Sequence, residues 1–194
     1  MRHLPDDPHL PGGLLLTGGR SRRMGRDKAT LEVAGEILSV RLGGLLADVA
    51  RPALEVGPGR SGLPTTEPDP GEGPLAAIAT GWRCLRGLGF SGDVIVLATD
   101  LPLLTEEVLD WLAGRPEDAS VVPVVEGRTQ PLCARWCPDD LDRAVELVAS
   151  GVRAVSPALG PDTAYLGEAD WGTVATPLAF RDADRPEDLP LDGP

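Results

Sequence analysis

Gly13-Leu14-Leu15-Leu16-Thr17-Gly18-Gly19-Arg20-Ser21-Arg22-Arg23-Met24-Gly25-Arg26-Asp27-Lys28 is the stretch on which the fold turns. Gly13 to Thr17 is a short apolar run, and Gly18-Gly19 ends it, so the pair reads as a buried strand entering a glycine loop. Glycines let a ligand approach the backbone closely, and successive free N–H groups form a concave anion site. Five residues of the loop are basic, in a chain whose formal net charge is -12. Arg23 is suited to grip a phosphate bidentately, and Lys28 to act as a compact point charge. No Gly-Lys-Ser/Thr closes the loop, so it is not a Walker loop, and its glycine spacing is not that of the dinucleotide fingerprint. A basic surface loop is the plain alternative, but the preceding buried strand and the charge contrast favour a phosphate site.

Outward from this loop the chain alternates between two periodicities. Leu31 to Val33 is a brief extended piece, Ile37 to Val49 has helical spacing, and Pro52 to Val56 reads as a strand. Gly57 to Gly73 is a Gly- and Pro-rich loop, followed by a helix from Pro74 to Leu88 with proline in its first turn. Asp93 to Ala98 is the clearest buried strand. It runs into Thr99-Asp100, and Thr105 then caps a helix to about Leu112 with Glu106 and Glu107 in its first turn. Ser120 to Val125 and Pro131 to Trp136 read as strands, Asp139 or Asp140 starts a helix to about Ala149, Leu178 to Phe180 reads as a late strand, and Asp184 to Leu189 as a short terminal helix. The segment from Val155 to Gly172 shows no clear period. Strands alternating with helices predict an α/β fold with a mostly parallel sheet. Ligands of such sheets sit outside the carboxyl ends of the strands, where both Gly18-Gly19 and Asp100 fall.

Composition narrows the function. With 194 residues and 42% hydrophobic content the chain suits one domain with a real core. We read residues 1–12 as a loose leader, 13–190 as a single domain and 191–194 as a tail. The acidic balance argues against nucleic acid and anionic membranes as partners. No apolar run is long enough to span a membrane, and the leader lacks the pattern of a secretory signal. Three cysteines, Cys84, Cys133 and Cys137, make no disulfide framework. Cys133 and Cys137 are two ligands without a nearby histidine, so ordinary thiols in a reducing cytoplasm are the expectation. Lys28 is the one lysine among 18 basic residues, and the chain has no asparagine. A coding bias toward arginine leaves a surviving lysine in need of a chemical reason.

The acidic candidates lie at strand ends. Asp100 directly follows a hydrophobic strand, which sets a carboxylate at the pocket edge, although a turn Asp would look the same. Asp182 and Asp184 follow the late strand at a spacing of two, which shares one face if the segment is extended; helix capping by Asp184 is the alternative. Both histidines, His3 and His9, lie in the leader, so histidine general-base catalysis is not expected.

Leu16-Thr17-Gly18-Gly19-x-Ser21-x-Arg23-Met24-Gly25-x-Asp27-Lys28 resembles the signature loop of the molybdenum-cofactor guanylyltransferases, with Thr17 where the family has alanine. Gly73-Pro74-Leu75-Ala76-Ala77, Ala98-Thr99-Asp100-Leu101-Pro102 and Gly127-Arg128-Thr129-Gln130-Pro131-Leu132 resemble further family segments in the same order. Ala77 stands where the family has a last glycine. The resemblance implies a Rossmann-like three-layer sandwich of the nucleotide-diphospho-sugar transferase type. It implies an enzyme that transfers GMP from GTP to the terminal phosphate of molybdenum cofactor with Mg2+. Arg23, Lys28 and Asp100 would be catalytic. Leu16, Thr17, Gly18, Gly19, Lys28, Gly73, Pro74 and Asp100 would hold the nucleotide, with Asp69 or Glu67 beside the nucleoside. Arg128, Gln130 and Arg153 would face the acceptor. Asp100 would hold the metal, joined by Asp182 or Asp184, which stand where the family often has asparagines. Relatives that use CTP share the fold, so the base stays open between GTP and CTP. Cofactor-delivery and molybdoenzyme-maturation proteins are the implied protein partners; a related nucleotidyltransferase with another phosphate acceptor and a docking protein that has lost catalysis are the rival readings.

Overall fold

The computed structural model describes residues 10–18, 32–33, 35–66 and 71–183. Strand β1 (Gly12–Leu16) starts one residue before the expected domain start and is buried throughout. Short β2 (Glu32–Val33) and β3 (Glu36–Ile37) form an antiparallel pair ahead of helix α1 (Leu38–Val49). Then come β4 (Ala53–Val56), α2 (Pro74–Gly87), β5 (Val94–Ala98) and α3 (Glu106–Ala113). A hairpin follows, β6 (Val121–Val125) and β7 (Arg128–Thr129), and then β8 (Cys133–Trp136) and α4 (Pro138–Ala149). The last elements are β9 (Ala164–Leu166) and α5 (Glu168–Trp171).

The central sheet runs β4-β1-β5-β8-β6-β7, with β9 on β6. β1 pairs in parallel with β4 and β5, and β9 with β6, whereas β8 is antiparallel to β5 and β6 and β7 is antiparallel to β6. Strands β4, β1, β5, β6 and β9 therefore point one way, and only β8 and β7 point back, which is the largely parallel sheet expected. Alternation along the strands builds the two cores. Leu15, Ile95 and Leu97 face α1 and α3 together with Leu38, Leu42, Leu46, Val108, Leu109 and Leu112. Leu14, Leu16, Val94 and Val96 face α2 and α4 together with Leu75, Ile78, Trp82, Leu85, Leu141 and Ala144. The result is a three-layer α/β/α sandwich.

Several expectations are corrected. Leu178 to Phe180 is no strand: Pro177–Phe180 forms a 3-10 turn that packs Phe180 on Trp171, with ring centroids 5.0 Å apart. The strand expected from Pro131 starts at Cys133, because Gln130 to Leu132 are spent turning out of the unforeseen β6–β7 hairpin. Thr105 stands at the N-cap of α3 with extended backbone, yet its hydroxyl makes no capping bond. The terminal helix expected from Asp184 lies outside the described residues. The periodless segment after Val155 is held by long-range polar contacts: buried Asp140 accepts from Ser120 Oγ (2.6 Å) and Gly160 N (3.0 Å), and Arg143 Nη1 donates to Ala158 O (3.0 Å).

Candidate active site at the carboxyl ends of the strands

β1 and β5 are neighbours in register, Leu16 opposite Ala98, so whatever follows each strand emerges on the same rim. Thr17 and Gly18 follow β1, and both backbone amides donate to Val56 O, at 3.1 and 3.3 Å, so β1 and β4 stay joined past the last sheet pair. Thr99 Oγ1 donates to Leu16 O (3.3 Å), which ties the end of β5 to the end of β1 just before half-buried Asp100.

Asp100 is braced from two sides. Arg41 of α1 donates through Nη1 to Pro102 O (3.1 Å) and through Nη2 to Leu104 O (2.8 Å), fixing the turn after it. Ala183 N donates to Asp100 O (2.8 Å), so the chain returns after its 3-10 turn and its backbone passes Asp100 directly after exposed Asp182. The buried Cys133 thiol at the start of β8 is pushed up to about 12 from its ordinary 9.0, first by burial and then by the charge of Asp100. A thiol so raised stays protonated and is no nucleophile.

Gly73 is the N-cap of α2, at φ 100° and ψ 176°, a backbone conformation essentially restricted to glycine. Pro74 follows in the first turn, and that turn carries no acidic side chain and no side-chain cap. The positive end of the helix dipole suits an anion. Arg153 sits beside this end: Nη2 pairs with Glu72 Oε2 at 2.5 Å, and Nη1 donates to Val152 O at 3.0 Å. The expectation for Arg153 thus meets a residue engaged at the entrance of α2.

Arg128 is exposed on β7, directly after the Glu126-Gly127 turn, whose φ angles are 48° and 77°. Gln130 N donates to Pro123 O (2.9 Å) and Gln130 O accepts from Cys133 N (3.0 Å), so its backbone hinges the hairpin into β8. Both lie at the carboxyl end of β6, on the rim that carries Gly18 and Asp100. Gly19, Arg23, Lys28, Glu67, Asp69 and Asp184 lie outside the described residues.

Asp100 and Asp182 both carry carboxylates, and among the described residues no group of three or more His, Cys, Asp or Glu gathers as a metal cluster. Magnesium is ordinarily held by one or two carboxylates, substrate phosphates and water.

Sequence reasoning passed over one residue at this rim. Glu55, a charged side chain inside the apolar strand Ala53–Val56, is 0% exposed and bonded to Thr17. Its lone charge within a strand was the available signal.

Residues 13–161 match the family described as MobA-like NTP transferase domain. A protein named "Probable molybdenum cofactor guanylyltransferase" from Mycobacterium tuberculosis is 36% identical over 166 residues, covering 80% of this chain and 82% of its own. The molybdenum cofactor guanylyltransferase of Rhodobacter capsulatus is 32% identical over 185 residues, covering 91% and 92%. Among solved structures, molybdopterin-guanine dinucleotide biosynthesis protein A from Archaeoglobus fulgidus superposes with a TM-score of 0.73 at 20% identity, covering 92% of this chain and 94% of that one. The 2-C-methyl-D-erythritol 4-phosphate cytidylyltransferase of Thermus thermophilus gives 0.60 at 16% identity, covering 93% and 96%.

Proposed function

The chain belongs to the MobA-like NTP transferase family and is a nucleotidyltransferase, and from that premise we propose that it transfers GMP from GTP to the terminal phosphate of molybdenum cofactor. One observation carries the reading: the turn after β1, the turn after β5 and the segment at Asp182 converge on one rim, joined by Thr99 to Leu16 and Ala183 to Asp100.

A phosphate monoester has a second pKa near 6, so at neutral pH the acceptor is largely dianionic and already nucleophilic. One of its oxygens attacks the α-phosphorus of GTP in line, the new P–O bond forms, and the bond to pyrophosphate breaks. No general base is required, which suits a chain whose two histidines are confined to residues 3 and 9. The protein supplies position and charge. Backbone at Thr17-Gly18 and the first turn of α2 at Gly73-Pro74 hold the nucleotide, with Gly19 and either Asp69 or Glu67 joining them. Arg23 and Lys28 neutralise the phosphates, and Arg128, Gln130 and Arg153 orient the acceptor. Asp100, with Asp182 or Asp184, would hold magnesium. When bound, that ion stabilises negative charge on the phosphate oxygens as a Lewis acid.

Asp100→Ala tests the assignment. Pyrophosphate release should fall by at least about 10²-fold, on the order of 3 kcal/mol in the barrier, while the variant keeps its fold by circular dichroism. A variant that retains turnover within a few-fold would remove Asp100 from the reaction.

A further inference from the structure

Glu55 is the most heavily bonded side chain on the rim. Its Oε1 accepts from the Thr17 hydroxyl, from Gly59 N (2.8 Å) and from Arg60 N (3.0 Å). Its Oε2 accepts from Arg60 N (2.8 Å), Ser61 N (2.8 Å) and Ser61 Oγ (2.6 Å). Three backbone amides and two hydroxyls thus converge on one buried carboxylate, and they come from two separate stretches, the end of β1 and the turn at residues 59–61. A buried carboxylate is tolerated only when its lone pairs are satisfied in this way. Burial alone would push its pKa up, but the bonds from Ser61, Thr17 and Arg60 outweigh burial and hold it below the ordinary 4.5.

The surroundings are fitted to this contact. A Cβ added at Gly57 would lie 2.0 Å from Thr17 Oγ1 and 3.0 Å from Gly18 N, so the glycine lets the two turns approach this closely. The turn is backed by α1, where Ser39 Oγ donates to Arg60 O (3.3 Å) and a Cβ at Gly43 would meet Ser61 Cβ at 2.8 Å. Beyond the turn the chain folds back along β4: Glu55 N donates to Pro64 O and Thr66 N to Glu55 O, each at 2.9 Å.

We propose that Glu55 is a positioning residue of the nucleotide site: its carboxylate clamps the Thr17-Gly18 turn to the 57–61 turn, so that the backbone entering the phosphate loop keeps one geometry. The proposal rests on the reading of Thr17-Gly18 as nucleotide-binding. Glutamine cannot replace the carboxylate quietly, because its NH2 must face N–H and O–H donors that now meet an acceptor.

The test is steady-state kinetics of pyrophosphate release by the full chain, with nucleotide and acceptor varied separately, for wild type, Glu55→Gln and Thr17→Val. Valine keeps the shape of threonine without the hydroxyl. A clamp predicts that KM for the nucleotide rises about tenfold in Glu55→Gln and by several-fold in Thr17→Val, with KM for the acceptor unchanged. If wild type binds nucleotide while both variants keep its nucleotide KM within about twofold, or both KM values rise together, the clamp is wrong. If Glu55→Gln does not fold, Thr17→Val decides by the same criterion. Wild type that binds no nucleotide by calorimetry would instead overturn the underlying reading of Thr17-Gly18.

Discussion

Asp100, Cys133 and Arg153 show how single residues at the rim separate by environment. Asp100 leaves the sheet half-buried, and its charge joins burial in raising the Cys133 thiol to about 12. Two outcomes follow. At pH 8 a thiol reagent should label half-buried Cys84 in the native protein and leave Cys133 untouched, as mass spectrometry of digested protein would show. The sign of the pH effect follows from the same shift. The unfolded chain releases this proton from about 9 and the folded one only near 12, so the unfolded state holds fewer protons in between. The contribution of Cys133 to stability is therefore complete below pH 9 and is lost as pH rises from 9 through about 12. Arg153 is different: its pair with Glu72 joins two side chains that are 44% and 49% exposed, and such pairs contribute about 0–1 kcal/mol. Arg153→Ala should leave the melting curve nearly unchanged, whereas an acceptor-binding role would raise KM for the acceptor. A change in melting alone would make Arg153 structural.

At the scale of elements, α2 carries the site at one end and the core along its length. Trp82, 1% exposed, donates from Nε1 to Asp142 Oδ1 at 2.6 Å and so ties α2 to α4. Asp142→Ala leaves that indole N–H unmatched and should destabilise the fold by about 1–3 kcal/mol in a denaturant titration; no change would place water in the partner's role. The elements legible in the sequence were those whose signals are local. Pro74 opened α2, Glu106 and Glu107 marked α3, and the apolar run Val94 to Ala98 gave β5 nearly to the residue. Elements set by distant partners were not legible. Ala164 to Leu166 becomes a strand because Ala164 N finds Ser120 O (2.8 Å), and Asp140 holds the preceding turn. The same limit hid Glu55: its charge was visible, but the five donors around it come from residues 17 and 59–61 only once the chain is folded.

At the scale of the whole molecule, the direction of the strands decides where chemistry gathers. β1, β5 and β6 run the same way, so Gly18, Asp100 and the hairpin bearing Arg128 and Gln130 emerge on one rim, and α2 begins there after the loop from β4. That placement was readable from the α/β alternation and the glycine loop. The hairpin and the reversed strand β8 were not, because their pairing depends on sheet order. Among the described residues no helix is long and apolar enough to cross a membrane. The acidic chain concentrates five basic residues in the stretch from Arg20 to Lys28. The most direct measurement is pyrophosphate release by the purified full chain with magnesium and molybdenum cofactor, comparing GTP with CTP. Release with GTP and none with CTP is the predicted result; release with CTP alone would contradict guanylyl transfer, and release with neither, using acceptor active with a control enzyme, would contradict the assigned acceptor.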